Sequence, residues 1–258
     1  MSEGTVRYER NGAVATVIFD RPAARNAMTW TMYRQLTEAC ERIEADAAVR
    51  VAVFRGAGGK AFIAGTDIAQ FREFNGAEDG VRYEQDMERC LAKLENLPVP
   101  TLAVIEGWAV GGGLAIATVC DLRIATAQSQ FGVPIARTLG NCLSIGNVAL
   151  LIAAFGAGRT KKMLMLGAML SAEEAFSAGF LAEVVAPHEV DQRVVALSDR
   201  LAANAPLTMR VSKQAIGRIL HAGIPEAEDL LRTCYGSEDF RIGIAAFLNK
   251  REPRWLGR

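Results

Sequence analysis

The stretch Thr101-Leu-Ala-Val-Ile-Glu-Gly-Trp-Ala-Val-Gly-Gly-Gly-Leu-Ala-Ile-Ala-Thr-Val-Cys-Asp-Leu-Arg-Ile-Ala-Thr-Ala127 decides the fold. Its first five residues form a short run rich in β-branched side chains, and Gly107 follows, which is typical of a strand that enters a turn. Three glycines at 111–113 then precede residues 114–120, which have no polar face. A helix that is apolar all round must be buried. The stretch therefore predicts a strand, a glycine turn, a buried helix and a second strand.

The glycine triplet admits two interpretations. Three glycines at a helix start bring bare backbone close to any neighbour, and the N–H groups of the first turn have no partner within the helix. Such a turn suits an anion or a developing oxyanion. The alternative is that the glycines serve only to let two segments pack closely.

A second glycine turn favours the first interpretation. Lys60-Ala-Phe-Ile-Ala-Gly-Thr-Asp-Ile68 places Gly65 at the end of another apolar run, directly before a short helical pattern. The two stretches together resemble the crotonase superfamily, the enoyl-CoA hydratase/isomerase family. In that family, an N–H in an AFxAGxD stretch and an N–H in a GGG stretch form an oxyanion hole for an acyl-CoA thioester. The resemblance implies that Thr66 and Gly112 carry these donors here.

The resemblance covers nearly the whole chain. Arg21-Pro-Ala-Ala-Arg-Asn-Ala27 is similar to an RPxxxNA loop that lies near the CoA phosphates, and the segments 171–181 and 237–251 are similar to the family's SAxEAxxxGLV and C-terminal segments. In the last segment Ile242 replaces the usual glutamate. The residues that the resemblance implies for substrate binding are Arg25, Ala64, Gly65, Asp67, Ile68, Gly111, Gly140 and Lys250.

The sequence departs from the family where the chemistry takes place. Enoyl-CoA hydratases of the family hold water with two glutamates, and these positions are Ala115 and Ile135 here, with Ala136 as an alternative alignment for the second. A general acid or base typically contributes about a hundred- to ten-thousand-fold in rate, so ordinary hydration is expected to be very slow. An oxyanion hole alone still stabilises an enolate.

Polar groups near the second glutamate position are candidates for the missing chemistry. Asn141 and Ser144 rank first as catalytic pocket groups, because they follow the Gly140 turn, where family members line the acyl pocket. Simple turn and helix-cap chemistry is the alternative for both residues. Other candidates within reach along the chain are Asp67, Glu73, Asp79 and Arg137.

Composition excludes several other classes of function. The 258 residues are 50% hydrophobic and 22% charged with a formal net charge of zero, which disfavours a nucleic-acid partner. Residues 138–158 carry no charge, but glycines and asparagines interrupt them, so a buried core or interface is expected rather than a membrane span. With only two histidines, His188 and His221, no metal site is expected. The glycine spacings match neither a phosphate loop nor a dinucleotide motif, so no cofactor is expected apart from the coenzyme A of the substrate.

Cysteine usage and the N-terminus bear on the compartment. Five scattered cysteines without CxxC spacing are typical of reduced thiols in a cytosolic protein. Residues 1–10 are charged and lack the apolar region of a secretory signal. A cytoplasmic location is expected.

The alternation of apolar runs predicts the fold class and its division. A hairpin around Asn11-Gly12 starts the sheet, and strand, strand and helix then repeat, which predicts an α/β fold, a spiral of ββα turns. Helical patterns follow at 172–178, 189–203, 207–221, 225–235 and 239–249, with a short strand at 181–185. Residues 1–200 are expected to form the spiral acyl-CoA-binding core, and 201–258 a helical trimerisation and lid region. The resemblance implies the same spiral and a homotrimer or a dimer of trimers.

The leading hypothesis is thus an acyl-CoA-processing enzyme of the enoyl-CoA hydratase/isomerase family. A non-catalytic acyl-CoA-binding homologue that keeps the pocket without its acid–base groups is the alternative. A third class, an RNA-binding relative, is disfavoured by the balanced charge.

Overall fold

The computed structural model describes residues 3–224 and 226–258. The chain begins with an antiparallel hairpin, β1 (Thr5–Asn11) and β2 (Val14–Asp20), joined by Asn11 and Gly12. Gly12 has a φ of 58°, the left-handed conformation that a tight hairpin turn requires. Thr29 then caps the first helix by accepting a hydrogen bond from the Met32 N–H. The predicted hairpin is confirmed.

Strand, strand and helix repeat along the first two thirds of the chain, as the sequence predicts. The long helix α5 is interrupted at Gly156, whose φ of 75° is not helical. The elements are α1 (Trp30–Ala45), β3 (Val51–Gly56), β4 (Ala61–Ile63), α2 (Ala77–Glu95), β5 (Thr101–Ile105), β6 (Trp108–Val110), α3 (Gly112–Val119), β7 (Leu122–Thr126), β8 (Gln130–Gly132), α4 (Ile135–Thr138) and α5 (Ile145–Leu166), with 3-10 turns at Pro22–Ala24 and Ile68–Glu73.

The repeats build two sheets side by side. Strands β2, β3, β5 and β7 pair in parallel in that order in one sheet, which β1 extends, and β4, β6 and β8 pair in parallel in the other. After the first hairpin, each repeat adds one strand to each sheet, so the chain advances as a spiral. The α/β spiral fold is confirmed. Because strands of the main sheet are covered on both faces, they are continuous apolar runs such as Val51 to Phe54.

The last third of the chain is mostly helical. Helix α8 has no buried residue, whereas α9 and α10 contribute Leu231, Tyr235, Phe240 and Ile244 to a small core beside the active-site loops. The elements are β9 (Met169–Ser171), α6 (Ala172–Ser177), β10 (Glu183–Val185), a 3-10 turn (Pro187–Glu189), α7 (Val190–Ala203), α8 (Pro206–Leu220), α9 (Glu228–Tyr235) and α10 (Glu238–Leu248).

The five predicted C-terminal helical patterns are found, with small differences in length. The pattern at 225–235 forms a helix only from Glu228, and Pro225 lies outside the described residues. The strand expected at 181–185 is reduced to β10. The boundary proposed between residues 200 and 201 falls within α7. The two-part division and the trimer stay predictions.

The uncharged segment 138–158 is partly buried, with Ile152 44% exposed. It runs from the end of α4 into α5, where Leu151 and Phe155 are buried in the main core. Across the described ranges 3–224 and 226–258, no helix combines the length and apolarity needed to cross a bilayer.

Candidate active site

The two predicted glycine turns lie against each other. Gly65 and Gly111 both have positive φ, 103° and 53°, and a Cβ added to Gly111 would lie 3.8 Å from the Gly65 Cα. A Cβ on Gly112 would lie 2.5 Å from the Tyr33 Oη and 3.2 Å from the Thr66 Oγ1. No side chain fits at Gly112 without displacing these hydroxyls. The structure thus brings Thr66 and Gly112 together.

The third glycine of the triplet serves packing. A Cβ on Gly113 would lie 2.2 Å from the Ile63 carbonyl oxygen, so this glycine lets α3 lie directly on β4. Leu114, Ile116 and Ala117 are fully buried, as a helix without a polar face requires. The close-packing interpretation of the triplet therefore holds for Gly113.

Two main-chain donors are free at this junction. Within the part of the chain that the structure describes, the N–H groups of Thr66 and Gly112 make no hydrogen bond. Their neighbours are engaged, since the Asp67 N–H donates to the Met28 carbonyl and the Ala115 N–H to the Gly111 carbonyl. Unpaired N–H groups at a helix start attract a negative oxygen.

A cleft of about 320 Å³ opens in front of these donors. Its lining includes residues 64–68 from the turn after β4, Gly111 and Gly112 from the start of α3, and Asn141. Eight of the twelve predicted site residues thus line one cleft. Ile135, one of the two alignments for the second family glutamate, also lines it, whereas Ala136 does not.

Asp67 has a structural role within the cleft wall. Its carboxylate accepts a hydrogen bond from the Ala69 N–H and lies 2.8 Å from the Arg21 Nη2 in an ion pair. These contacts fix the turn that presents Thr66.

Two predicted cations lie outside the cleft lining. Arg25 is exposed, and its guanidinium lies 5.9 Å from the centre of the Trp108 ring. Lys250 is exposed just beyond the end of α10, three residues after Phe247, which does line the cleft. Both side chains are free to reach toward a ligand that extends out of the cleft.

Gly140 and Ser144 lie outside the cleft lining. Gly140 packs against Asp239 and Trp255, and its φ of 67° turns the chain there. Ser144 is 3% exposed, and its hydroxyl accepts a hydrogen bond from the Asn147 N–H as the cap of α5. The capping alternative describes Ser144, because a hydroxyl engaged at a helix start has little freedom to act on a ligand.

Three hydroxyls cluster beside Gly112. The Tyr33 Oη lies 2.7 Å from the Thr66 Oγ1, which lies 3.1 Å from the Tyr83 Oη. Burial raises the pKa of both tyrosines well above the ordinary value, so the cluster stays neutral and hydrogen-bonded. Neutral hydroxyls add polar character beside the two N–H donors without adding charge.

A smaller cavity of about 40 Å³ lies behind the glycine turn. Its walls are mainly apolar side chains of α2, α3 and α5, among them Met87, Ala115 and Leu150, and Gly112 lines it as well as the cleft. The cavity and the cleft are therefore two sides of one site. Ala115, the first family glutamate position, faces this inner cavity.

One carboxyl group, Glu84 of α2, lines both the cleft and the inner cavity. It is 3% exposed, the Tyr235 O–H donates to its Oε1 at 2.6 Å, and the Ser144 N–H donates to its Oε2 at 2.9 Å. Burial raises the pKa of Glu84 to about 7, against the hydrogen bonds from Tyr235, Ser144 and Asn147 that lower it.

Sequence reasoning missed Glu84, although a signal was present. Met87, Leu91 and Leu94 are buried apolar positions of α2, and Glu84 lies three residues before Met87 on that same inward face. A charged residue in register with the apolar positions of a helix is a candidate for a functional buried group.

Asn141 completes a chain of hydrogen bonds toward Glu84. Its Nδ2–H donates to the Tyr235 Oη at 3.3 Å, while its buried Oδ1 has no hydrogen-bond partner among residues 3–224 and 226–258. Buried amide oxygens are almost always paired, so this atom is available to a donor in the cleft. Asn141 and Ser144, the two ranked sequence candidates, both contact the Glu84–Tyr235 pair.

Comparisons with known proteins agree with this geometry. The family model described as enoyl-CoA hydratase/isomerase matches residues 9–258. A short-chain-enoyl-CoA hydratase of Clostridium acetobutylicum is 32% identical over 256 residues, which is 98% of this chain and 97% of the relative.

Solved structures show the same fold. The crystal structure of an enoyl-CoA hydratase/carnithine racemase from Magnetospirillum magneticum is 35% identical with a TM-score of 0.80, and the match covers 100% of this chain and 97% of that one. A methylmalonyl-CoA decarboxylase complexed with 2S-carboxypropyl-CoA is 25% identical with a TM-score of 0.90, and the match covers 100% of both chains. The family match over almost the whole length, together with paired glycine turns that present free N–H groups, shows that this chain belongs to the enoyl-CoA hydratase/isomerase family.

Proposed function

We propose that the protein is an enzyme that acts on short-chain acyl-CoA thioesters, whose carbonyl oxygen accepts hydrogen bonds from the N–H groups of Thr66 and Gly112. The observation that carries this function is the pair of free N–H donors between a solvent-accessible cleft and an inner apolar cavity. Polarising a thioester carbonyl lowers the free energy of the enolate that forms when a proton leaves the neighbouring carbon.

The cleft and the inner cavity bind different parts of the ligand. The cleft lined by residues 64–68 takes the pantetheine arm. The exposed cations Arg25 and Lys250 meet the CoA phosphates outside the cleft. The inner cavity of about 40 Å³ takes the acyl tail. Since a water needs about 10 to 15 Å³ of such space, the cavity holds roughly three heavy atoms, which corresponds to a four-carbon acyl group.

The walls also limit the reaction. Ala115 faces the inner cavity and Ile135 the cleft, so neither family glutamate position carries a carboxylate that holds water. We expect crotonyl-CoA hydration to be very slow for this reason. The same two positions favour the second candidate, an acyl-CoA-binding homologue without catalysis.

Calorimetric titration with acetyl-, butyryl- and octanoyl-CoA, with free CoA as the control, tests the proposal together with turnover assays on the same thioesters. Binding of butyryl-CoA tighter than both free CoA and octanoyl-CoA supports the short-chain assignment. Turnover separates an enzyme from a binder. Equal affinity for free CoA and all thioesters would show that the acyl group is not recognised and would overturn the proposal.

A further inference from the structure

We propose that Glu84 is the acid–base group of this site and that the reaction is a proton transfer at the carbon next to the thioester carbonyl. The inference rests on the proposed function and adds the reaction class to it. One carboxylate on α2 takes the place of the two carboxylates missing at positions 115 and 135. The chemistry therefore approaches the acyl group from the α2 side of the cavity.

The first support is position. Glu84 lines both the cleft and the inner cavity, and so do Gly111 and Gly112. An acyl chain that runs from the N–H donors into the inner cavity has its first carbons at this junction. Glu84 is thus the carboxyl group that the described structure places beside the carbons that follow the carbonyl.

The second support is the surroundings of the carboxylate. No cation forms an ion pair with Glu84 within the described ranges, and its partners are neutral donors, the Tyr235 O–H and the Ser144 N–H. A structural carboxylate that is 3% exposed is normally paired with a cation. Even Asp67, whose side chain is 22% exposed, is paired with Arg21. A carboxylate held by neutral groups keeps its proton until near neutral pH, which suits a group that takes and returns a proton.

The step balances without a further reactant. The C–H bond at the carbon next to the carbonyl breaks, its proton moves to the Glu84 carboxylate, and the electron pair moves onto the thioester oxygen held by the two N–H donors. If the Glu84 carboxyl group first exchanges its proton with solvent, return of a proton to the same carbon gives hydrogen exchange, and return to a carbon further along an unsaturated chain gives a double-bond shift. Neither outcome needs an oxidant or a metal.

Tyr235 is a positioning residue for this carboxylate. Its O–H donates to Glu84, and it accepts from the Asn141 Nδ2–H, so the loop after α4 and helix α9 together fix the orientation of the carboxyl group. Loss of the Tyr235 donor removes a hydrogen bond that favours the ionised form and raises the pKa of Glu84. The ionisable groups that face Glu84 are Tyr33, Tyr83, Glu88, Cys142, Cys234 and Tyr235.

Exchange of butyryl-CoA protons in deuterated water, followed by nuclear magnetic resonance, tests the inference. We expect the unmodified protein to exchange the protons next to the carbonyl, with a rate that rises with pH through about 7. Glu84→Gln is expected to lose about 100-fold or more while its affinity for butyryl-CoA changes by less than about threefold. Glu88→Gln, which removes an exposed carboxyl one turn along α2, is the matched control and keeps the exchange, with a midpoint at lower pH because the Glu88 charge helps to raise the pKa of Glu84.

The outcomes separate this inference from the proposed function. Failure of the unmodified protein to bind butyryl-CoA overturns both. Binding without exchange, or exchange that Glu84→Gln retains within about threefold, leaves acyl-CoA binding in place and overturns the role of Glu84. Tyr235→Phe adds an independent readout, since a positioning role predicts a slower rate and a midpoint moved to higher pH, whereas a purely structural role leaves the midpoint unchanged.

Discussion

At the scale of single residues, Glu84 shows how burial links stability to chemistry. A carboxylate that is 3% exposed has lost most of its hydration, and neutral donors only partly replace it. Because the pKa is raised in the folded protein, that state binds more protons than the unfolded chain between pH 4.5 and about 7. The free energy of unfolding therefore falls as the pH rises through this interval.

Glu84→Gln is expected to raise the free energy of unfolding at pH 8. The difference between a pKa of about 7 and the ordinary 4.5 corresponds to about 3 kcal/mol, at about 1.4 kcal/mol per pKa unit. The lost acceptor for the Ser144 N–H reduces the gain to about 1 to 3 kcal/mol. Urea denaturation at pH 8 and at pH 4.5 measures this gain in the free energy of unfolding, with Glu88→Gln as the exposed control. A gain of the same size at both pH values would contradict a buried ionised carboxylate.

Sequence alone predicts the main-chain part of the site better than its side-chain part. Thr66 and Gly112 can be predicted as donors from the sequence, because a backbone donor needs only a glycine turn, and such turns are local in sequence. Glu84 cannot be predicted in this way, because its role depends on contacts with α9 and the Ser144 loop, which come from distant parts of the chain. Asn141 is a sequence candidate because it follows a turn, but that pattern does not predict its contact with Tyr235.

At the scale of secondary-structure elements, the proposed oxyanion hole depends on the start of α3. Gly112→Pro removes the N–H donor at the first helical position, where proline is tolerated, and it adds a Cβ 2.5 Å from the Tyr33 Oη. Gly112→Ala adds the same Cβ and keeps the donor, so the pair of variants separates the donor from the crowding. We expect Gly112→Pro to be slower than Gly112→Ala by about 3 to 4 kcal/mol in activation free energy, about 150-fold or more.

Proton exchange of butyryl-CoA, measured on variants with unchanged circular dichroism, is the assay for this comparison. Equal rates for the two variants would remove Gly112 from the oxyanion hole and leave only crowding as the effect of either change.

The wall between α2 and α5 is expected to set the length of the acyl chain. Leu150 lines the inner cavity and also the groove on its far side, so shortening this side chain joins the two spaces. Leu150→Ala is expected to improve the affinity for octanoyl-CoA relative to butyryl-CoA by about tenfold, since about 1 to 3 kcal/mol accompanies a methylene-sized change in an apolar pocket.

Leu166→Ala is the matched control, because Leu166 lies at the end of the same helix and is 73% exposed. Calorimetric titration of both variants with both thioesters gives the ratio of the affinity for octanoyl-CoA to the affinity for butyryl-CoA. An unchanged ratio for Leu150→Ala would place the acyl chain elsewhere.

At the scale of the whole molecule, the spiral could be predicted because the signals for each repeat are local in sequence. Asn11-Gly12 specifies the hairpin, and apolar runs are followed by turns and then by helices, of which α1 and α2 are amphipathic. The pairing of β4, β6 and β8 into a second sheet could not be derived from these patterns alone, because strands of three residues carry little periodicity. The ends of some elements also differ from the predicted ends, as at α9, which begins at Glu228.

Helix α8 bears on the assembly of the molecule. It has no buried residue, and its exposed apolar side chains include Leu207, Val211, Ile216 and Ile219, the last 74% exposed. We expect an exposed apolar surface of this kind to be covered by another protein surface. In the predicted homotrimer or dimer of trimers, a second copy of the chain is the partner that covers this surface. Sedimentation equilibrium is expected to give three or six times the protomer mass.

Substitution on α8 tests which surface holds the assembly together. Ile219→Lys places a charge where an apolar side chain is expected to be covered, so it should shift the protein toward smaller species at micromolar concentration. Gln214→Lys adds the same charge at an exposed polar position of the same helix and should leave the mass unchanged. If the unmodified protein sediments as a monomer, the trimer prediction is wrong. If Ile219→Lys keeps the full assembly, α8 lies outside the interface, and its apolar face needs another partner.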